Sequence, residues 1–223
     1  MKSINFKAVG RVFAVAAVLA LSAVLWVGCG GDDNPADNKD NNSANNGGNS
    51  NNNNNNNGGG TVIDTSFVDL GGLKWMKKNL NIKTDSSWCY NDDNSKCNVY
   101  GRLYAWNAAY KACQSIGWRL PTDSEWGTLV YAVGGTATAG KALKSATGWS
   151  DFNGTDDFQF SALPGGGRYS NGNFSNAGDG GYWWTGTGFS DGTATYWDMQ
   201  YISDRVYNGA SDKFYGYSVR CVK

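Results

Sequence analysis

The sequence offers few side chains with the types and spacing that catalysis requires. It contains no histidine, so the commonest general base and the commonest metal ligand are both missing. Residues 188–192, GFSDG, match the G-x-S-x-G pattern of a hydrolase nucleophile. No histidine exists to activate Ser190, and the position of this segment between two short predicted strands indicates a hairpin turn. We therefore expect no catalytic residue and predict that the protein is not an enzyme.

The acidic residues suit turns better than an active site. Asp156 and Asp157 are adjacent in the sequence GTDD, whereas a glycosidase needs two carboxylates that face each other across a cleft. Carboxylates on loops also offer the hard oxygen ligands that calcium prefers. We predict no metal and no cofactor, with a structural calcium ion as the alternative. The loop carboxylates available to it are those of Asp151, Asp156, Asp157 and Asp179.

Aromatic and polar side chains crowd the last third of the chain. In one predicted strand Trp197 alternates with Tyr196 and Asp198, so the tryptophan is predicted to face the core and its neighbours the surface. The adjacent Trp183 and Trp184 point to opposite sides of another strand, which predicts one buried and one exposed ring without saying which. Exposed aromatic rings beside polar groups suit sugars and protein partners alike, and ordinary packing is the alternative. The candidate ligand-binding residues are Arg168, Asp179, Trp184, Tyr196, Asp198, Arg205 and Tyr207.

Four of the five cysteines lie in the C-terminal part of the chain. An even number favours disulfides formed in an oxidising compartment, and four cysteines allow three pairings. The sequence between Cys89 and Cys97 is rich in turn-forming residues, so its two ends can meet. Cys113 lies on the apolar stripe of a helix predicted over residues 101–115, and Cys221 lies on the apolar face of a closing strand. This reasoning favours a Cys89–Cys97 and a Cys113–Cys221 bridge.

The elements that would position these residues are short helices followed by strands. Thr122 and Glu125 form a capping box at the start of a second predicted helix, which stops at Gly134. A short third helix is predicted near residues 139–148. The order of elements predicts an α+β fold with antiparallel strands and two to three short helices. Strands are predicted at one or two sites before the first helix and then near residues 158–164, 180–186, 193–202 and 217–223.

The first residues of the chain differ in character from the rest. Basic residues precede an apolar run at residues 12–27 that is short for a membrane span, which is typical of a secretory signal peptide. Gly28 and Cys29 end this run and resemble a bacterial lipobox, in which the cysteine becomes the lipid-bearing first residue. Trp26 stands where leucine is common. By resemblance to the sorting rules of such lipoproteins, Gly30 favours the outer membrane.

The composition of the remaining chain predicts a tether and one domain. Residues 29–60 are nearly all Asn, Gly, Asp and Ser, so they offer too little apolar surface to fold and are predicted to be a disordered tether. Residues 61–223 are long enough for one domain with its own core. The formal net charge is +0, and the absence of a basic cluster argues against nucleic acid as a partner. We predict a lipoprotein signal peptide (1–28), a tether (29–60) and one domain (61–223).

Ordered motifs from about residue 68 to the C-terminus resemble the Fibrobacter succinogenes major paralogous domain. They include LGGLKWMKKNLN, GWRLPTDSEW, AGKALKSATGW and YSVRCVK. That family is similar to C-type-lectin-like domains, so the resemblance implies a lectin-like, disulfide-bonded domain in which a long Cys113–Cys221 link is typical. Family members are generally secreted or surface proteins of undetermined activity. Lys77 and Lys78 replace a more usual small and acidic pair, which makes this edge of the domain more basic.

Two partial resemblances bear on chemistry. The phrase RLPTDSEW at residues 119–126 is similar to a motif of formylglycine-generating enzymes, which depend on a pair of active-site cysteines. The Glu-Pro-Asn loop of calcium-dependent lectins is missing here, and the partner Trp-Asn-Asp sequence is matched only loosely by YWD at residues 196–198. Neither resemblance supplies a complete site.

The sequence thus predicts a surface-displayed protein that is attached to the outer membrane through lipid on Cys29. Its domain is expected to bind a polysaccharide or a surface protein without catalysis, through loops and strand faces between residues 168 and 215. One alternative is a divergent enzyme similar to the formylglycine-generating enzymes, which requires a free cysteine. The other alternative is a structural component of the envelope.

Overall fold

Residues 63–223 are described by a computed structural model of the protein. The predicted signal peptide, the lipid attachment at Cys29 and the predicted tether all lie outside the described residues. The described part mixes short helices with mostly antiparallel strands, which confirms the predicted α+β class. None of its helices combines the length and the apolar character that a membrane span requires.

Four α-helices and nine strands follow one another along the described chain. A β-hairpin comes first, a region with all four helices and a two-stranded ribbon follows, and five strands come last. The elements are β1 (Phe67–Leu70), β2 (Leu73–Met76), β3 (Ser87–Trp88), α1 (Asn94–Tyr100), β4 (Leu103–Tyr104), α2 (Trp106–Gln114), α3 (Asp123–Ala132), α4 (Ala139–Leu143), β5 (Gly165–Arg168), β6 (Phe174–Ala177), β7 (Gly180–Gly188), β8 (Thr193–Gln200) and β9 (Val206–Asp212).

The last five strands form one sheet in the order β6-β5-β7-β8-β9. Neighbouring strands are antiparallel except for β5 and β7, which are parallel. Strand β7 ends at Gly188 and β8 begins at Thr193, so the GFSDG segment is a hairpin turn, as predicted. Strand β9 was not predicted, because its sequence VYNGASD lacks an apolar alternation and only its backbone pairing with β8 defines it.

The chain ends in an extended segment, residues 216–223, which we call the closing segment. It forms isolated bridges with several elements instead of the regular strand that was predicted there. The strand predicted near residues 158–164 is wrong, because this stretch is a loop with a single bridge, between Lys144 and Ala162. The closing segment joins the sheet to the N-terminal elements through the pairs Trp75–Val222, Tyr104–Tyr217, Arg168–Gly216 and Trp183–Ser218.

Helix α3 confirms the predicted capping box. The Glu125 backbone N–H donates to the Thr122 hydroxyl at 3.2 Å, and the Thr122 backbone N–H donates to the Glu125 carboxylate at 2.8 Å. The first predicted helix begins later than expected, at Trp106. The reason is that Leu103 and Tyr104 pair with β3, so long-range pairing overrides the local helical pattern.

Helix α1 occupies the segment that the sequence predicts as a turn-rich loop. The carboxylate of Asp93 accepts a hydrogen bond from the Ser95 backbone N–H at the start of this helix. The helix ends at Gly101, whose φ is 73° and where a Cβ atom would lie 2.8 Å from the Asn79 side chain. Glycine is required there for both reasons, and it lets α1 pack closely against the chain that follows β2.

The five-stranded sheet is covered on both faces. One face packs against α3 and forms the core that we call the tryptophan core, while the other packs against α2 and the closing segment. Trp183 points into the first core and Trp184 into the second, and both rings are fully buried. The prediction that one of them is exposed is wrong, because it assumed that one face of the strand meets solvent. The large aromatic residues of the tryptophan core are Trp75, Trp126, Phe160, Trp183 and Trp197.

Both predicted disulfides are present. Cys113 and Cys221 join α2 to the closing segment, with a Cα–Cα distance of 5.7 Å. Cys89 and Cys97 bracket the start of α1, with a Cα–Cα distance of 5.0 Å. The guanidinium of Arg102 lies over this second bridge, with Nη1 3.3 Å from the Cys89 sulfur and 3.4 Å from the Cys97 sulfur. All four cysteines of the described residues are therefore paired.

Two buried cations hold loops together through backbone carbonyls. The Arg220 guanidinium is fully buried and donates to Asn79 Oδ1 and to the carbonyl oxygens of Met76, Phe160 and Ser161. Burial lowers the pKa of Arg220 to about 9. The Lys144 ammonium donates to three carbonyl oxygens, and burial also lowers its pKa. These networks fix the loops that flank the sheet. The acceptors of Lys144 are the carbonyls of Phe152, Gln200 and Ser203.

Candidate ligand-binding site

Five tyrosines with neighbouring rings lie on the face of the sheet opposite the tryptophan core, and we call them the tyrosine cluster. The Tyr182 and Tyr217 rings stack, with centroids 5.2 Å apart and planes inclined by 20°. The ring of Tyr196 lies 5.1 Å from that of Tyr217. Tyr215 continues the cluster, 6.1 Å from Tyr217 and 5.4 Å from Tyr169. A continuous aromatic surface therefore runs from β8 to the end of β5.

Strand pairing explains why these rings meet. In the register of β7 and β8, Trp184 lies opposite Tyr196 and Tyr182 opposite Asp198, so all four side chains share one face. Trp184 is fully buried beneath Tyr217, with ring centroids 4.6 Å apart, and its indole N–H donates to the Tyr104 carbonyl. It supports the cluster from below instead of presenting its ring to a ligand, contrary to the prediction.

Four of the five tyrosines, all except Tyr196, line a cleft of about 120 Å³, which we call the tyrosine cleft. Of its aromatic walls, Tyr182 and Tyr215 are half-buried, Tyr217 is buried and Tyr169 is exposed, and each ring carries a hydroxyl group. Arg168, at the end of β5, and Asn176, at the end of β6, add a guanidinium and an amide to the rim. Aromatic walls with a few polar groups at their edge suit a ligand that has both apolar faces and hydroxyls. The walls are Tyr169, Tyr182, Tyr215 and Tyr217.

A hydrogen-bonded network extends the cleft toward β8. The Tyr182 hydroxyl accepts from Asn176 Nδ2 at 2.9 Å and from Gln200 Nε2 at 3.3 Å, which leaves its own proton to donate. Gln200 Nε2 also donates to the Asp198 carboxylate at 2.7 Å. Asp198 is only 8% exposed, and this burial raises its pKa, while the hydrogen bond from Gln200 opposes the shift. Burial and the Asp198 charge both raise the pKa of Tyr196.

The remaining predicted residues lie at the margin or away from the cleft. Tyr207 on β9 pairs with Asp198, on the side away from Tyr182, and is 42% exposed. The exposed guanidinium of Arg205 lies 5.9 Å from the Tyr207 ring. Asp179 lies in the turn between β6 and β7. The structure thus brings Arg168, Tyr196 and Asp198 to the cluster, and it places Arg205, Tyr207 and Asp179 outside the cleft wall.

The loop aspartates do not assemble into a metal site. Asp156 is engaged locally, because its carboxylate accepts from the backbone N–H and the hydroxyl of Ser161, each at 2.6 Å. Within residues 63–223, no group of three or more acidic, cysteine or histidine side chains is placed to hold a metal ion. The described residues therefore offer no cluster of the kind that the calcium alternative needs.

A larger cleft of about 580 Å³ lies between β2 and α1. It includes Lys77 and Lys78. Both of its lysines are already engaged: Lys77 Nζ donates to Gln159 at 2.7 Å, and Lys78 Nζ pairs with Asp64 at 2.8 Å. We therefore place the candidate site at the smaller tyrosine cleft, where polar groups remain available.

Sequence reasoning did not select four of the residues that build the cleft. Tyr182 precedes Trp184 by two positions, so the period of a strand places it beside the selected Tyr196. Tyr217 is predicted to be a core residue, and it is buried, but its ring forms the floor of the cleft. No local signal points to Tyr169 or Tyr215, because they reach the cleft through the loop after β5 and the turn after β9.

The fold and the cleft define a disulfide-bonded α+β domain with a solvent-accessible aromatic site. The chain matches the family model of the Fibrobacter succinogenes major domain over residues 68–223, and it belongs to that family. No curated protein and no solved structure was found to match the chain. The similarity to C-type-lectin-like domains therefore stays a prediction from the resemblance.

Proposed function

We propose that the protein is a lipid-anchored surface protein whose domain binds polysaccharide without catalysis, and that the tyrosine cleft is its binding site. The observation that carries this proposal is the tyrosine cluster, in which stacked rings open into a cleft with hydroxyl, amide and guanidinium groups at its rim. A sugar ring has an apolar face of C–H groups and an edge of hydroxyls. Such a ligand matches both the rings and the polar rim.

The sequence supports the location in this proposal. The apolar run that ends at Gly28 and Cys29 resembles a lipoprotein signal, and the Asn-rich stretch that follows would hold the domain away from the membrane. We propose that Cys29 carries the lipid and that the protein is displayed at the outer membrane. A Cys29→Ser change is expected to release the protein from the membrane fraction. Full-yield partition of this variant with membranes would contradict the anchor.

The two alternative functions have less support. An enzyme similar to the formylglycine-generating enzymes needs reactive thiols, whereas the four cysteines within residues 63–223 form two disulfides. A structural role in the envelope would need an extended protein interface, and the large apolar side chains that are exposed within residues 63–223 are scattered over separate loops and elements. The exposed side chains include Tyr131, Phe152, Phe189, Ile202 and Phe214.

Titration calorimetry of the full chain in detergent micelles, against a panel of soluble polysaccharides, tests the proposal. Tyr182→Ala is expected to weaken binding about tenfold or more, because it removes a stacking wall and the rim hydroxyl. Tyr131→Ala is the matched control, since Tyr131 is 80% exposed on α3 and lies outside the cleft. Equal losses in the two variants, or no binding to any polysaccharide, would overturn the proposed function.

A further inference from the structure

Arg168 is a cation at the tyrosine cleft that has no acidic partner. The three ion pairs formed within residues 63–223 all involve other cations. Arg168 is the one charged residue among the eight that line the cleft. The cleft is therefore positively charged even though the chain as a whole has a formal net charge of +0.

Ring stacking fixes the Arg168 side chain but leaves its donors available. The guanidinium lies 4.0 Å from the centroid of the Trp88 ring and 5.7 Å from that of Phe174. Stacking uses the faces of the planar group, whereas its N–H groups point outward from its edge. Trp88 and Phe174 thus pre-order the guanidinium without satisfying its hydrogen bonds.

The hydrogen bonds of Arg168 are incomplete. Its Nε is buried and has no partner in the described residues. Within residues 63–223 the guanidinium forms one hydrogen bond, a long one of 3.5 Å from Nη1 to the Tyr169 carbonyl. A buried donor without an acceptor lowers the stability of the fold. A ligand that supplies the acceptor removes this penalty, and the free energy recovered strengthens binding.

Two glycines keep the space around this side chain open. A Cβ atom at Gly172 would lie 3.2 Å from Arg168 Nη2. A Cβ atom at Gly216 would lie 3.0 Å from Arg168 Cβ and 3.3 Å from the Trp88 ring. Side chains at these positions would crowd the stacked guanidinium, so both glycines help to keep it at the rim.

We propose that the tyrosine cleft recognises a carboxylate on the sugar, so that the ligand is a uronate-containing, acidic polysaccharide. This inference rests on the proposed function, and it adds the chemical class of the ligand. A carboxylate is planar and accepts two parallel hydrogen bonds, which matches the fork of a guanidinium. The cleft of about 120 Å³ holds only part of a sugar, so we expect the carboxylate edge to enter at Arg168 while the rest of the polymer stays outside.

Two polymers with the same backbone test the role of charge. The full chain in detergent micelles is titrated with polygalacturonate and with its methyl-esterified, neutral form, and a sulfated polysaccharide serves as a second anion. Wild-type protein is expected to bind polygalacturonate about tenfold to a hundredfold more tightly than the ester. Equal affinity for the two polymers, or tighter binding of the sulfated polymer, would overturn the carboxylate inference while leaving the proposed function intact.

Variants assign the preference to Arg168. In Arg168→Gln the ratio of the affinities for polygalacturonate and for its methyl ester is expected to fall to about one. In Arg168→Lys this affinity ratio should be partly restored, because the positive charge is kept. Arg205→Gln is the matched control, since Arg205 is also cationic but lies outside the cleft wall. A ratio that Arg168→Gln leaves unchanged, or that Arg205→Gln lowers equally, contradicts the inference. Thermal melting of each variant verifies that it is folded, and the Lys variant keeps the test valid if Gln unfolds the domain.

The same titrations separate this inference from the proposed function. Tyr182→Ala is expected to weaken binding of the acid and of the ester alike, because the stacking wall contacts the sugar ring in both. If neither polymer nor any other polysaccharide binds, both proposals fail together. Raising the salt concentration should weaken the binding of polygalacturonate more than the binding of its methyl ester.

Discussion

The two faces of the five-stranded sheet use aromatic residues in opposite ways. The tryptophan core buries one face of the sheet beneath α3. There the indole N–H of Trp183 donates to Asn79, and that of Trp197 donates to Asp123. The other face carries the tyrosine cluster, in which Tyr182, Tyr196 and Tyr215 are only half-buried and four of the five tyrosines line a cleft. The aromatic side chains of the tryptophan core thus stabilise the fold, whereas those of the tyrosine cluster, as we propose, bind a ligand.

The difference between the faces comes from what covers them. Helix α3 packs on the first face with Trp126, Leu129 and Val130, and side chains from β2, α4 and the loops complete the buried core. On the second face the closing segment covers Trp184 with Tyr217, and Tyr182 and Tyr196 contact the same Tyr217 ring but stay only half-buried. An aromatic residue is therefore not evidence of a binding site until the element that packs over it is known.

The largest expected effect concerns the Cys113–Cys221 bridge, which ties the closing segment to α2. Replacing Cys113 and Cys221 with alanine is expected to lower the free energy of unfolding by about 4 to 5 kcal/mol, because the bridge spans 108 residues of sequence. The matched pair Cys89→Ala with Cys97→Ala spans 8 residues and should cost about 2 to 3 kcal/mol. Urea unfolding measures both. Equal losses would show that loop length does not set the contribution of these bridges.

The next effect tests the sealed face. Trp126 is fully buried and contacts Trp75, Phe160 and Trp197. Trp126→Ala is expected to lower the free energy of unfolding by about 3 to 5 kcal/mol, since it leaves a large cavity. The control Tyr131→Ala on the same helix should change it by about 0.5 kcal/mol or less. A loss below about 1 kcal/mol for Trp126→Ala would mean that the tryptophan core is loosely packed.

The smallest effect concerns the buried carboxylate on the open face. Burial raises the pKa of Asp198, so the folded state holds the proton more tightly than the unfolded chain, and the ionised form destabilises the fold at neutral pH. Asp198→Asn is expected to raise stability at pH 7 by less than about 1 kcal/mol. The wild-type protein regains this stability as the pH falls through the raised pKa, so the advantage of the variant should disappear toward about pH 4.

Urea unfolding at several pH values measures this effect. Asp191→Asn, in the exposed hairpin turn, is the control and should leave stability unchanged at each pH. Binding measured in parallel separates the two roles of Asp198: weaker polysaccharide binding in a more stable variant would show that the carboxylate is kept for recognition. If Asp198→Asn lowers the stability of the protein, burial is not the main influence on the pKa of the Asp198 carboxyl.

Much of the fold could be predicted from local signals. The capping box at Thr122 fixes the start of α3, and alternation places Tyr217 and Cys221 on one buried face. The disulfide pairs followed from the turn-rich stretch after Cys89 and from the buried stripe at Cys113. Each of these signals depends on residues close together in sequence.

The errors arose where distant parts of the chain meet. The local sequence predicts a helix at residues 103–104, but these residues pair with β3. It predicts a strand at residues 158–164, but this stretch forms only one isolated bridge. Trp184 was selected as a ligand-binding residue because a single strand cannot reveal that both faces of its sheet are covered. At the site, strand alternation selected Tyr196 of the cluster and position on a Gly-rich loop selected Arg168 of the cleft, whereas Tyr169 and Tyr215 needed the folded arrangement of two turns.

The loop at residues 169–173 between β5 and β6 has a consequence for how such domains can diversify. This loop is largely exposed, and beneath it the strands and both cores are filled with side chains that cannot change size independently. It supplies Tyr169 to the cleft and borders Arg168 through Gly172. Under the binding role that we propose, exchange of this short loop would change the ligand preference while the scaffold stays constant.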